Sequence, residues 1–208
     1  MKENNNSKQI LLSVLGVAIL VVAVVGVSFA AFSYSKTGEK VNTITTGSIV
    51  MSYNETTNGI NLVDALPISD AQGMALSGNT AGHEEYFDFN VSATITGSTT
   101  INYVITATKE ADSDIPDTGV KVYLTSMDAE ADSQILAPTL VSDLEQTDGT
   151  DTTKTGAPAD QYKLYEDTFA ASNTRAYRLR MWIDQNYSSL GTSGTYKLRV
   201  NVYGAAAA

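Results

Sequence analysis

The chain of 208 residues has no cysteine, one histidine, one tryptophan and four prolines. Without cysteine there is no disulfide, thiol nucleophile, thiolate metal site or iron–sulfur cluster, so stability has to come from a packed core. The single histidine, His83, is followed by Glu84 and Glu85 and has no second histidine four residues on, which excludes the paired-histidine zinc helix. A histidine-based triad would have to use His83, and nothing in the sequence marks its partners. A Gly-x-Ser-x-Gly elbow, a phosphate loop and a glycine-rich dinucleotide fingerprint are also missing. This inventory points away from an enzyme and calls for no cofactor.

Charge is missing from residues 9–35 altogether. A short lysine-bearing start, an apolar helix-like run over 10–27 and the small residues Ser28 and Ala30 form an export signal cleaved between Ala30 and Ala31. The apolar run is longer than a typical signal core of about 7–15 residues and shorter than the about 20 needed to span a bilayer. An uncleaved anchor, with Lys2 and Lys8 held inside, is therefore the rival reading. Either way the bulk of the chain is expected outside the cytoplasm, touching membrane only through residues 10–27. No glutamate occurs between Lys8 and Lys36, which disfavours a type IV pilin.

Basic residues are few. The formal charge is −10, and removing residues 1–30 leaves 11 of 13 basic and 22 of 23 acidic side chains. A surface that acidic lacks the basic face nucleic acid requires.

What remains reads as strands. Phe87, Phe89, Val91, Ala93 and Ile95 alternate with polar residues, and Ile101, Tyr103, Ile105 and Ala107 resume that period after Gly97-Ser98. Val120, Val122 and Leu124 begin another strand. Tyr177, Leu179, Met181 and Ile183 form one more, and Tyr196, Leu198, Val200 and Val202 another. With 48–53 and a short strand at 161–165, the pattern predicts an all-β, jelly-roll-like antiparallel sandwich of seven or eight strands over 48–204, preceded by the apolar signal helix. Residues 61–82 read as a loop with one helical turn starting at a Ser69 cap. Residues 136–159, acidic and rich in Asp, Thr and Gly, read as a surface loop insertion.

Few side chains suggest a site. Asp112, Asp114 and Asp117 form a weak calcium candidate, because carboxylates in a turn can converge on a cation, but the closing glutamate is missing. Otherwise no metal is expected. Arg178, Arg180 and Trp182, on the polar face of their strand, are candidate interface residues, arginine and tryptophan being the types that anchor interfaces. The Asn-x-Ser/Thr triplets at Asn54, Asn90 and Asn186 are short enough to arise by chance.

The segment 31–47 is polar, extended and β-prone, with no evident place in the core. Such a segment either pairs within its own sandwich or adds to an open edge of another copy. Phe32 and Tyr34, two apart, would enter one face as anchors, with Val41 and Ile44 further along the donor segment.

The run Gly26-Val27-Ser28-Phe29-Ala30-Ala31-Phe32-Ser33, followed by Asn42-Thr43-Ile44-Thr45-Thr46-Gly47-Ser48-Ile49, resembles the start of the TasA and camelysin family of secreted bacterial proteins. The resemblance covers residues 10–53. It implies cleavage between Ala30 and Ala31 by a SipW-type signal peptidase and a first jelly-roll strand at 48–53. It also implies a secreted subunit of a cell-surface or biofilm-matrix fibre, in which the freed N-terminal segment completes a sheet of the next copy, so that the partners are the signal peptidase and other copies of the chain. The family also includes proteins described as casein-cleaving metalloproteases, an activity for which this sequence has no zinc motif. A membrane-anchored monomeric surface module for binding or adhesion is the other alternative.

Overall fold

The structure, a computed structural model, describes residues 17, 34–37, 43–46, 49–62, 65–96, 99–128, 132–188 and 194–207. The expected signal helix, Val17 apart, and the cleavage pair Ala30 and Ala31 lie outside these residues. Among the described residues no helix is long and apolar enough to cross a membrane.

Among the described residues from Tyr34 onward the chain is mostly antiparallel β-sheet with two short α-helices. One sheet has four strands, in the order β1 (Tyr34–Thr37), β12 (Leu198–Ala206), β7 (Ile101–Lys109) and β10 (Tyr162–Phe169). The other has six: β2 (Thr43–Thr46), β3 (Ile49–Glu55), β6 (Tyr86–Ile95), β11 (Asn173–Ile183), β8 (Val120–Ser126) and β9 (Ser133–Leu140). A two-residue pair, β4 (Asn79–Thr80) and β5 (His83–Glu84), stands apart.

The alternating apolar residues meet between the two sheets. Phe87, Phe89, Val91 and Ala93 of β6 are buried, as are Tyr177 and Leu179 of β11 and Val200 and Val202 of β12. An aromatic layer joins the sheets: Tyr53, Phe89 and Tyr177 lie 5.5–5.6 Å apart by ring centroid, and Tyr165 of the four-stranded sheet approaches Tyr177 at 6.0 Å. Aromatic burial of this kind contributes beyond its area because tilted and offset rings are mutually attractive.

Parts of the polar faces of the strands are covered as well. The described residues 56–62 and 65–85 fold back over the six-stranded sheet. The helix Asp70–Met74 within this stretch starts at the expected Ser69 cap, whose side chain and that of Gln72 form a reciprocal capping box. Residues 141–161 cover the other sheet, placing Ala157 against Val104 and Tyr203 in a buried cluster.

Two expectations are corrected. Ten strands, not seven or eight, make up the two sheets; the additional ones are β1, β2 and β9, which are too short or too interrupted to show alternation. Residues 136–159 are not a loop insertion throughout. Their first five residues belong to β9, and the rest carry a helix, Gly149–Lys154, with Asp148 as its N-cap. The acidic residues that suggested a solvated loop are helix caps: Asp148 Oδ1 accepts from the backbone N–H of Thr150 and Asp151, and Asp151 Oδ2 accepts from that of Asp148.

Candidate functional site: sheet edges and the clamp on the six-stranded sheet

The N-terminal segment forms the outer edge of both sheets. β1 pairs with β12 from Tyr34↔Gly204 to Thr37↔Asn201, and β2 pairs with β3 from Thr43↔Ser52 to Thr46↔Ile49. Of the expected donor residues, Tyr34 and Ile44 lie in these edge strands of their own chain, while Phe32 and Val41 lie outside the described residues. Each ladder spans four residue pairs, so β12 and β3 both run on past their edge partner.

Where they run on, a cleft of about 320 Å³ opens. Its apolar lining includes Ile60, Phe87, Leu179, Met181, Leu198 and Val200, and Glu55, Glu110, Lys197 and Arg199 supply its charges. Arg199 Nε donates to Glu110 Oε1 at 2.6 Å, and Lys197 is paired with Asp112.

Arg178, Arg180 and Trp182 do not form an open interface. They project from β11 on the side away from the aromatic layer, and their partners belong to the same chain. Arg178 grips Asp88 through two parallel bonds of 2.7 and 2.8 Å, and its guanidinium lies 3.9 Å from the Tyr86 ring centroid. A planar fork meeting a carboxylate in this way is the strongest ion-pair geometry available. Arg180 Nε donates to the Leu76 carbonyl at 2.6 Å and its Nη2 to Asp132 Oδ2 at 3.1 Å. Trp182, 2 % exposed, lies under Gly73 of the short helix, where an added Cβ would sit 2.2 Å from the indole. Arg180 and Trp182 clamp this stretch to the sheet, while Arg178 ties β11 to β6. The residue types that suggested an interface here meet partners supplied by the chain itself.

The three carboxylates of the calcium candidate do not converge. Asp112 pairs with Lys197 and Asp114 is exposed. Asp117 accepts from the hydroxyls of Tyr162 at 2.6 Å and Tyr196 at 2.8 Å, with Lys109 Nζ at 3.0 Å. Burial works against the Asp117 carboxylate, but these donors outweigh it and hold its pKa below the ordinary value. Burial and the same carboxylate push Tyr162 up to about 12. Among the described residues no group of three or more metal-ligating side chains comes together.

His83 sits in β5 with Nε2 3.5 Å from Glu85 Oε1. Glu85 also accepts from the backbone N–H of Gly78 at 2.6 Å and Ser77 at 2.9 Å, and these two bonds keep its pKa low. This is the chemistry of a loop tie, holding 77–78 against the start of β6.

No family model, curated protein or solved structure matches this chain. The class that the geometry itself defines is a cysteine-free, antiparallel all-β protein whose N-terminal strands form an edge of each sheet.

Proposed function

We propose that the chain is a secreted structural subunit of a bacterial cell-surface or biofilm-matrix fibre. In this reading it is a jelly-roll-like sandwich that assembles by β-strand complementation after cleavage between Ala30 and Ala31. The observation that carries the reading is the position of β1 and β2, consecutive in sequence, on the outer edges of two different sheets. Each is tied on one side only, through four residue pairs. Strands held that lightly can leave their own sheets and be replaced by the same strands of a neighbour, since the backbone bonds are identical in cis and in trans. Cleavage frees the segment by removing its membrane tether.

Protein beginning at Ala31 is expected to form filaments visible by electron microscopy, and protein beginning at Gly47 to remain monomeric in sedimentation. Equal polymerisation of the two would remove strand donation.

The cis pairing of β1 and β2 also favours a second reading, a monomeric surface module anchored through residues 10–27, because a segment that closes its own sheets needs no neighbour. The intact mass of the native protein separates the two, since the anchored module keeps residues 1–30.

A further inference from the structure

We propose that Lys121 and Asp184 become joined by an intramolecular amide bond from lysine Nζ to aspartate Cγ, with Asp70 as the proton acceptor beside them. The three side chains come from separate elements packed on the outer face of the six-stranded sheet. Lys121 lies on β8 opposite Trp182 of β11, and the backbone N–H of Asp184 donates to the Gly119 carbonyl at 3.0 Å, carrying the pairing one residue further. Asp70 is brought in by the bridge of Ile68 to Asp184 and by the Ser69 cap.

The geometry holds the amine beside the carboxyl group of Asp184. Lys121 Nζ is 2.8 and 3.0 Å from the two Asp70 oxygens and 3.3 Å from Asp184 Oδ1. Asp184 is 5 % exposed, and its Oδ1 is buried without a hydrogen bond. Trp182, 2 % exposed, lies opposite Lys121 in the ladder and two residues before Asp184. Holding the two groups side by side in one folded chain also removes the entropy cost of bringing them together from solution.

The step balances without an oxidant or co-reactant. The ammonium gives up one proton to Asp70, and the Asp184 oxygen that leaves takes up one from solvent. Nζ attacks Cγ, a C–N bond forms, a C–O bond breaks and one water leaves. Asp70, whose side chain is 41 % exposed, returns its proton to solvent. Because the Asp70 hydrogen bonds raise the Lys121 pKa against the opposing effect of burial, removal of that proton gates the reaction. The product is a covalent tie between β8 and the end of β11 in a chain that has no cysteine to make one.

Mass spectrometry of the purified protein tests this, with the observed N-terminus fixing the reference mass. The natural protein is expected to be lighter than its sequence by one water, and its tryptic digest to contain a branched peptide carrying both Lys121 and Asp184. Lys121→Arg, which keeps the charge but cannot condense, and Asp184→Ala are both expected at full sequence mass. Full mass in the natural protein after prolonged incubation at neutral pH would mean an ion pair only and would overturn the proposal. So would a one-water deficit that persists in Lys121→Arg, because it would place the loss in a succinimide elsewhere. If either variant fails to fold by circular dichroism, the natural protein's peptide map decides alone.

Discussion

The hydroxyls of Tyr103 and Tyr177 meet 2.5 Å apart in the buried space between the two sheets. Tyr103 belongs to β7 and Tyr177 to β11, so this bond joins the centre of one sheet to the centre of the other. Arg175 Nη1 donates to the Tyr103 hydroxyl at 3.2 Å and is itself paired with Asp167. Removing either hydroxyl leaves the other buried with a weakened partner set. Tyr177→Phe is expected to cost about 1–3 kcal/mol in denaturant unfolding, and the Tyr103→Phe, Tyr177→Phe double variant less than the sum of the singles. Strict additivity would show that the hydroxyls are not coupled.

The same burial sets an alkaline limit. Desolvation raises the pKa of Tyr103 and of Tyr177, and Tyr162 is pushed up to about 12 by burial and Asp117. Their folded pKa values exceed the unfolded value of about 10, so above that pH the unfolded chain releases protons the folded one retains. Stability from these groups is whole below pH about 10 and falls as pH rises toward 12. Unfolding free energies measured across that interval should decline, and Tyr162→Phe should flatten the decline; an unchanged slope would place the alkaline loss elsewhere.

Gly73 and Trp182 fix the strap of residues 56–85 to the six-stranded sheet. A Cβ at Gly73 would overlap the indole, 2.2 Å from one of its ring carbons. Because Trp182 is enclosed, it cannot simply swing away. Gly73→Ala is expected to destabilise by about 1–3 kcal/mol through overpacking. Met74→Ala, one position along on a side chain with more exposure, serves as the control and should cost less. Urea unfolding of the two variants makes the comparison, and equal costs would mean that the indole does not set the approach of the helix.

Much of this core was legible because a strand with one buried apolar face writes that face into the sequence at period two. Phe87, Phe89, Val91, Ala93, Tyr177, Leu179, Val200 and Val202 were all expected inward and all are buried. The period reports only which face is apolar, however. It cannot report that the polar face is covered too, so the burial of Asp88, Arg180 and Trp182 was not visible. Their cover, residues 56–85, is rich in small residues and packs through carbonyls and a glycine, which leave no periodic trace. Alternation does not mark β9 because Pro138 interrupts it, and such a proline is tolerated where β9 lies, at the edge of its sheet. The candidate site divides in the same way. Anchoring residue types were readable on β11, but the identity of what they anchor depends on contacts between residues as distant as Leu76 and Arg180.

Gly204 and Met51 show how closely the sheets approach at the edge formed by the N-terminal segment. Gly204 lies on β12 opposite Tyr34, and Met51 lies on β3 opposite Ile44. A Cβ on Gly204 would come within 2.5 Å of Met51 Sδ and 3.2 Å of the Asn102 carbonyl oxygen. The thioether can bend away but the carbonyl belongs to a paired strand, so Gly204→Ala is expected to cost about 1–3 kcal/mol. Met51→Ala alone removes a buried side chain and is expected to cost about 2–5 kcal/mol. In combination the new methyl occupies part of the space the methionine vacates. The double variant should therefore be more stable than the sum of the two losses predicts, by an amount readable in a denaturant double-mutant cycle. Additive losses would mean that the carbonyl, and not Met51, is what requires glycine at position 204, and the close sheet approach at this edge would then be fixed by backbone alone.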